Sequence, residues 1–247
     1  MKLFVDLGNT ALKWAMDHEL VAHQIHRETV NDLTATLDRA WGDLWPPSEV
    51  VIASVRHLEL EQRLIRWVDH NWSSRVRVSQ TQSAEMGITN GYASPSQLGV
   101  DRWLAMLAAW DLVSASVLVV DCGTATTLDG IDDRGEHLGG LILPGVMGFS
   151  RCLFNNTDLS AAQAYGDIGF FATDTASAVQ SGAILTHVCI IKEIYMKLQR
   201  VAKTPADVQC ILTGGDASLL EPHLGISCQL IPDLVLQGLA LQSRSSG

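Results

Sequence analysis

The sequence predicts an α/β protein built from two copies of one architecture. Short runs of β-branched and apolar residues alternate with longer amphipathic runs, which is typical of strands alternating with helices. A strand-like segment that ends in an aspartate and is soon followed by a glycine occurs twice, with Asp121 lying 115 residues after Asp6. Because this offset is close to half of the 247-residue chain, it indicates a duplication rather than a short structural repeat. The expected domains are residues 1–115 and 116–247.

The individual elements follow from the periodicity of apolar residues. Strands are predicted at residues 3–6, 50–55, 117–121 and 210–215, and helices at residues 58–72, 96–113 and 175–200. After each Asp-x-Gly turn the chain continues as a second extended segment, so each copy is expected to form a β-hairpin with polar residues at its bend. The Walker motif and the dinucleotide-binding fold instead place their glycine turn before a helix, and neither GxxxxGK[ST] nor GxGxxG occurs here.

Composition restricts the class of protein. The formal net charge of -10 argues against a nucleic-acid partner, because phosphate contacts need clustered basic residues. There is no apolar run of about 18 residues, so we expect no membrane span. Met1 leads directly into a strand-like segment without a secretory leader, which favours a cytoplasmic location. The five cysteines and eight histidines show no metal-binding spacing, and we expect reduced thiols that are mostly buried.

The two turns have the chemistry of a nucleotide site. Backbone N–H groups and hydroxyls at a bend rich in Gly, Asn and Thr can bind phosphate oxygens. A carboxylate beside a polyphosphate requires an intervening cation, so Asp6 and Asp121 are predicted to interact with bound metal ions. Lys13 adds a mobile positive charge, and two facing hairpins would hold a nucleoside triphosphate. A third glycine turn, LTGGDA at residues 212–217, is predicted to approach a flat ligand such as a purine.

Residues 92–110 form the candidate acceptor site for phosphoryl transfer. Asp101 and Arg102 fall in the first turns of a predicted helix, where exposed N–H groups favour anions. We interpret Arg102 as the partner of a substrate carboxylate and Asp101 as the base that faces a substrate hydroxyl. Aspartate is also an ordinary residue at a helix start. The nearby Tyr92 and Gly99 favour the interpretation as a site.

Together these motifs resemble the type III pantothenate kinase family, in the same order along nearly the whole chain. The matching segments are DLGNT with Lys13, YxxPxxLGxDRW at 92–103, DCGT at 121–124, GGLILPG at 139–145, the helix start at 175–182 and TGGD at 213–216. The resemblance implies two ribonuclease-H-like domains of duplicated actin-like architecture, that of the ASKHA superfamily of acetate and sugar kinases, heat-shock chaperones and actin. It implies ATP-dependent phosphorylation of pantothenate to 4'-phosphopantothenate, the first step of coenzyme A biosynthesis.

The resemblance also implies roles for single residues. Asp6 would serve a magnesium ion bound with ATP, and Asp121 would hold a monovalent cation, potassium or ammonium. Asp101 would be the general base toward the primary hydroxyl of pantothenate. The expected ATP contacts are Asp6, Leu7, Gly8, Asn9, Thr10, Ala11, Leu12, Lys13, Thr124, Gly214 and Gly215, and the expected pantothenate contacts are Tyr92, Gly99, Val100, Asp101, Arg102 and Thr175.

Family members are typically homodimers, and the helix from Thr175 or the helix near Trp103 is expected to supply the apolar surface between subunits. The chain departs from the family pattern at Asp174, where an Asn usually precedes the Thr that contacts pantothenate, and this adds negative charge near an anionic substrate. The segment NNTDLS at residues 155–160 is expected to cover the substrate pocket.

Two alternative functions stay open at this point. A kinase for another small hydroxyl compound, such as a sugar or an acetate-like acid, would keep the ATP site and differ only around residues 92–102. A non-enzymatic accessory factor for transcription would share the fold but is expected to lose its catalytic carboxylates. Because Asp6, Asp101 and Asp121 are all present, the enzyme is favoured.

Overall fold

The chain folds into two compact units, Met1–Leu112 with Asp233–Gly247, and Val113–Pro232. The computed structural model describes residues 1–8, 11–17, 22–26, 33–55, 58–155 and 168–245. The first unit ends three residues before the predicted boundary at residue 115. Residues 233–247 join the first unit, whereas the sequence pattern placed them in the second domain.

The first unit is built on a five-stranded mixed sheet. Its elements are β1 (Lys2–Leu7), β2 (Ala11–Met16), β3 (His23–His26), α1 (Leu33–Trp41), β4 (Glu49–Ser54), α2 (Leu58–Asn71), β5 (Arg75–Val78), the short strands β6 (Ala84–Glu85) and β7 (Ile88–Thr89), and α3 (Val100–Val113). The strand order is β3-β2-β1-β4-β5, with β1 antiparallel to β2 and parallel to β4. On one face, the ring of Trp41 is fully buried in the core and packs against the rings of Trp14, Trp67 and Trp72.

The second unit contains another five-stranded mixed sheet. Its elements are β8 (Val117–Cys122), β9 (Ala125–Ile131), β10 (His137–Pro144), α4 (Val146–Asn155), α5 (Thr175–Val201), β11 (Gln209–Thr213), α6 (Ala217–Leu224) and β12 (Gln229–Leu230). The strand order is β10-β9-β8-β11-β12, with β8 antiparallel to β9 and parallel to β11. The core lies between this sheet and α5, where Leu118 and Val120 pack with Ile184, Val188 and Ile191.

The predicted duplication is confirmed by the two sheets, which have the same strand order and the same strand directions. Both predicted hairpins form: Gly8 N–H donates to the Ala11 carbonyl at 3.1 Å, and Gly123 N–H donates to the Ala125 carbonyl at 3.1 Å. The first turn is one residue longer than the second, because three residues separate β1 from β2 and two separate β8 from β9.

The helix predicted at residues 96–113 begins later than expected. Residues Pro95–Gln97 form a single 3-10 turn, and Leu98 is extended, with φ -75° and ψ 127°. This extended residue breaks the helical path, so α3 starts at Val100. The predicted strand at residues 210–215 likewise ends at Thr213, because Gly214 has a φ of +91°.

The last helix, α7 (Leu234–Ser245), returns to the first unit and packs on β1, β2 and β4. Its buried residues include Leu234, Val235 and Leu239. The duplication pattern concerns only the hairpins, so it contains no information about where this terminal helix packs. None of the helices that the structure describes is long and apolar enough to cross a membrane.

A glycine lets α7 approach α3 closely, and we expect its substitution to destabilise the protein. A Cβ atom at Gly238 would overlap the carbonyl group of Leu104. Gly238→Ala is expected to lower the free energy of unfolding by about 1–3 kcal/mol, since the helices must move apart. Denaturant unfolding measures this change.

Gly182→Ala is the matched control. At this exposed helical glycine of α5, an added methyl group would have nothing within 4 Å beyond the backbone of its own helix. Alanine there should raise stability by about 0.5–1 kcal/mol, because it removes the conformational freedom of glycine. Equal effects of the two substitutions would contradict the proposed close packing.

Candidate active site

The first hairpin places a carboxylate and an ammonium group side by side. Asp6 on β1 is the register partner of Lys13 on β2, so their side chains lie on the same face of the sheet. The side chains of Leu7 and Leu12 are buried in the core, so only their backbone atoms remain for a ligand. Two further predicted ATP contacts, Asn9 and Thr10, lie outside the described residues.

Lys13 is held by an ion pair that the sequence patterns did not predict. Its Nζ lies 2.9 Å from Oδ1 of Asp233, the residue that precedes α7. Both side chains are about three-quarters buried. Asp233 thus holds the ammonium group beside the hairpin, a contact that accompanies the positive charge expected at Lys13. No local pattern could reveal this pair, since 220 residues separate its members.

The predicted acceptor residues Tyr92 and Arg102 are in direct contact. Arg102 Nη1 donates a hydrogen bond to Tyr92 Oη at 2.8 Å, and the guanidinium carbon lies 5.6 Å from the ring centroid. Tyr92 is positioned in turn, because its backbone N–H donates to Oδ1 of Asn90 at 2.9 Å. Arg102 is only 6% exposed, so its charge is held within the protein rather than in solvent.

Asp101 is held at the first turn of α3. Its Oδ1 accepts a hydrogen bond from the Arg102 backbone N–H at 2.8 Å. The same oxygen lies over Gly99, where a Cβ atom would be 2.5 Å away. Val100 is buried and contributes no exposed side chain. The structure thus brings Tyr92, Asp101 and Arg102 together around a helix N-terminus, where anions are favoured.

In the second unit, the TGGD turn packs directly on the DCGT turn. A Cβ atom at Gly214 would lie 2.5 Å from Oδ1 of Asp121, and Gly214 has a φ of +91°, so glycine is required on both grounds. Asp216 N–H donates to the Cys122 carbonyl at 2.9 Å. The predicted residues Asp121 and Gly214 are therefore neighbours, with the exposed Gly215 next in the chain.

Residues 143–145, with the sequence LPG, lie at the same edge of the second sheet. Gly145 N–H donates to the carbonyl of the exposed Thr124 at 3.0 Å, and a Cβ at Gly145 would overlap the Gly123 carbonyl oxygen. The preceding Pro144 carbonyl lies 3.0 Å from Nε2 of the buried His187. Three glycine-containing turns, at residues 123–124, 144–145 and 213–216, thus meet at the carboxyl end of the central strand.

Asp216 is a further carboxylate at this edge, one to which the sequence motifs assigned no role. Burial raises its pKa above the ordinary value, and His187 partly offsets this effect. Burial, together with the charges of Asp121 and Asp216, raises the pKa of the Cys122 thiol to about 12. The charges of Asp121 and Asp216 therefore both influence the buried Cys122 thiol. The described residues contain no group of three or more acidic, histidine or cysteine side chains suited to a metal ion.

Asp174 caps the long helix of the second unit. Its Oδ1 accepts a hydrogen bond from the Ser177 N–H at 2.9 Å, which holds the pKa of this carboxyl below its usual range. The negative charge of Asp174 therefore interacts favourably with the positive N-terminal end of the α5 dipole. Thr175, the predicted pantothenate contact, is exposed at the first helical position. Of the segment expected to cover the pocket, residues 156–160 lie outside the described residues.

The two sheets have the same strand order and each bears an aspartate at its hairpin, which is the architecture of the actin-like fold class. A protein from Campylobacter jejuni described as a Baf family transcriptional activator has this fold, with a TM-score of 0.63, 18% identity, and 99% of this chain and 100% of that chain covered. A Listeria monocytogenes protein described as an N-acetylmannosamine kinase is also similar, with a TM-score of 0.51, 12% identity and 99% of both chains covered. At these identities the likeness shows the fold alone.

Within this class, the chain belongs to the type III pantothenate kinase family. The family model for type III pantothenate kinase matches residues 2–197. The chain is 33% identical over 244 residues to the type III pantothenate kinase of Nitrosomonas eutropha, with 98% of this chain and 94% of that relative covered. The resemblance drawn from the sequence motifs is confirmed by these matches.

The Asp174 cap is expected to make stability depend on pH. Because the folded-state pKa is lowered, the cap stabilises the protein above the ordinary Asp range and is lost as the pH falls through the lowered pKa. Asp174→Ala should therefore lower the unfolding midpoint at pH 7, and the difference from the parent protein should shrink below about pH 4.

Asp174→Asn is the control, since Asn caps helices without titrating. It should keep most of the stability at pH 7. A constant difference between the parent protein and Asp174→Ala at every pH would show that the carboxylate charge has no part in the cap.

Proposed function

We propose that this chain transfers the γ-phosphoryl group of ATP to the primary hydroxyl of pantothenate, giving 4'-phosphopantothenate in the first step of coenzyme A biosynthesis. The observation that carries the proposal is the cluster of Tyr92, Asp101 and Arg102 at the start of α3. It offers one base and one cation to a substrate that has one hydroxyl and one carboxylate. Family membership supports the same reaction.

In the first unit, we assign the ATP phosphates to the hairpin at residues 6–13. Backbone N–H groups at the bend would bind phosphate oxygens, and Lys13 would add a positive charge already positioned by Asp233. Asp6 supplies carboxylate oxygens of the kind that magnesium prefers, and a bound magnesium ion would neutralise the charge of the phosphates. A loose transition state depends mainly on such alignment and neutralisation.

In the second unit, we assign Thr124, Gly214 and Gly215 to ATP and Asp121 to a monovalent cation, potassium or ammonium. The tight packing of Gly214 on Asp121 supports this assignment, because it leaves backbone rather than side chains at this edge. The donors available there are oxygens, which suit hard cations. Asp216 adds a second carboxylate to the same turn.

At the acceptor site, each residue has a separate task. Asp101 accepts the proton of the primary hydroxyl as phosphoryl transfer proceeds. Arg102 and the N–H groups at the start of α3 bind the carboxylate of pantothenate, and Tyr92 fixes the direction of the guanidinium. Thr175 provides a further hydroxyl contact. Because the side chains are held by hydrogen bonds without substrate, little reorganisation is needed on binding.

The direct test is release of ADP by the purified chain. We expect release with ATP, magnesium and pantothenate, and none when a simple sugar or acetate replaces pantothenate. Exchange of potassium for sodium should lower the rate. Release with a sugar but not with pantothenate would favour a kinase for another hydroxyl compound, and no release with any acceptor would favour the non-enzymatic alternative.

Asp101→Asn is expected to lower kcat by about 10²–10⁴-fold, because it removes the base, while leaving ATP affinity nearly unchanged. Asp111→Asn is the matched control, since Asp111 is exposed on the same helix and should have no effect on turnover. Turnover of Asp101→Asn at the parent rate would remove Asp101 from the mechanism.

We also propose that the chain acts in the cytoplasm as a homodimer that binds neither nucleic acid nor membranes. An apolar surface on the second unit supports self-association, because Phe170 is 82% and Phe171 96% exposed. A groove of about 380 Å³ runs along this face and is lined by Phe170, Val188 and Met196 among others. The net charge of -10 disfavours a nucleic-acid partner.

Sedimentation velocity tests the dimer. The parent chain should sediment as a dimer, and its sedimentation should not change when a DNA duplex or anionic vesicles are added. The double substitution of Phe170 and Phe171 by Asp should give monomers, because it places charge in the apolar surface. Leu58→Asp, at an exposed leucine of the first unit, is the control and should leave the dimer intact.

A further inference from the structure

One cysteine of the second unit lies on β11, and another immediately precedes the neighbouring strand β12. In the parallel pairing of β11 with β12, Ile211 is the partner of Gln229 and Leu212 is the partner of Leu230. The residues that precede these partners are Cys210 and Cys228. Neighbouring strands lie roughly 4.8 Å apart. This spacing falls within the Cα separation of about 4.4–6.8 Å that a disulfide requires.

The two thiols are in contact but differ in their exposure. Each of Cys210 and Cys228 shifts the pKa of the other, so the two thiols are close enough to interact. The Sγ atom of Cys228 also donates a hydrogen bond to the Ile226 carbonyl at 3.6 Å. Cys210 is 1% exposed within the core cluster of the second unit, and Cys228 packs on the edge of that cluster and is only partly buried. An oxidant in solvent can therefore reach the Cys228 sulfur, whereas the Cys210 sulfur is shielded from solvent.

The two thiols differ in acidity as well as in exposure. The interaction between them lowers the pKa of Cys228 and raises the pKa of Cys210. The thiolate is the nucleophilic form of cysteine. Because Cys228 is the more exposed of the two, we take it as the attacking sulfur and the buried Cys210 as the resolving sulfur, an arrangement found in redox-sensing cysteine pairs.

We propose that Cys210 and Cys228 form a reversible intramolecular disulfide when the protein meets a hydroperoxide. The Cys228 thiolate attacks the peroxide, the O–O bond breaks, and a sulfenic acid forms while the departing oxygen takes up a proton. The Cys210 sulfur then attacks the Cys228 sulfur, the S–S bond forms, and water leaves with the Cys210 proton. The two thiols lose two electrons, and the peroxide gains them.

The cross-link would act on the TGGD turn. Residues 213–216 and helix α6 lie between the two cysteines, so the disulfide closes a covalent loop around them. The strand β12 pairs with β11 at only two positions, and the disulfide would fix this weak edge. Because a cross-link restricts the unfolded chain, oxidation should raise the unfolding midpoint. These readouts do not depend on the proposed kinase activity.

The test uses the full chain with Cys152→Ser and Cys189→Ser, which removes the two exposed cysteines and leaves Cys122 and the pair. After treatment with hydrogen peroxide, we expect maleimide to label only one of the three remaining cysteines in the unfolded protein. After dithiothreitol, maleimide should label all three. After cleavage on the N-terminal side of Asp216, the peptides that carry Cys210 and Cys228 should remain joined until reduced. The unfolding midpoint should rise on oxidation and return on reduction.

Two further variants in this background make the result specific. Cys228→Ser should keep both of its remaining thiols after peroxide treatment, and because Cys228 is only partly buried this variant should fold. Cys122→Ser should still form the linked peptides. The proposal is overturned if peroxide leaves Cys210 open to maleimide in the unfolded protein, or if Cys228 ends as a sulfinic acid without a linked peptide.

Discussion

Both units depend on a central strand that is paired on its two sides and has an aspartate as its second-last residue. Asp6 lies between Lys13 of β2 and Ala53 of β4, and Asp121 lies between Thr127 of β9 and Thr213 of β11. A strand held on both sides cannot slip by one residue without turning its buried side chains to the other face. The backbone register therefore fixes each carboxylate at the end of its sheet, before any ligand binds.

The two copies use this common frame for different chemistry. In the first unit, the position opposite the aspartate is a lysine, and a distant aspartate before α7 holds it. In the second unit, the equivalent position is Thr127, and glycine-containing turns approach the aspartate instead. The first hairpin thus carries a positioned positive charge, whereas the second allows the backbone of a neighbouring turn to pack closely against its aspartate. Duplication preserved the strand register, while the residues at the strand ends diverged.

The repeated hairpins and the long helix α5 could be predicted because their signals are local. Asp-x-Gly at a strand end and apolar residues at intervals of three or four each describe one element. The start of α3, by contrast, depends on the extended conformation of Leu98. The ion pair between Lys13 and Asp233 depends on where α7 packs, and no pattern within either segment encodes that packing. The sequence motif predicts only that Tyr92 and Arg102 belong to the same site, because the hydrogen bond between them depends on how the segment before α3 folds.

The proposed acceptor residues show why a helix start is a suitable place for this chemistry. Gly99 leaves room for the Asp101 carboxylate to fold back over the backbone, and the Arg102 N–H holds one of its oxygens. The guanidinium of Arg102 makes a buried contact with Tyr92. Consecutive residues thus supply the proposed base and the proposed cation, which match a substrate with one hydroxyl and one carboxylate. Since phosphoryl transfer depends more on alignment than on basicity, this rigid geometry contributes more to the proposed reaction than the carboxylate alone.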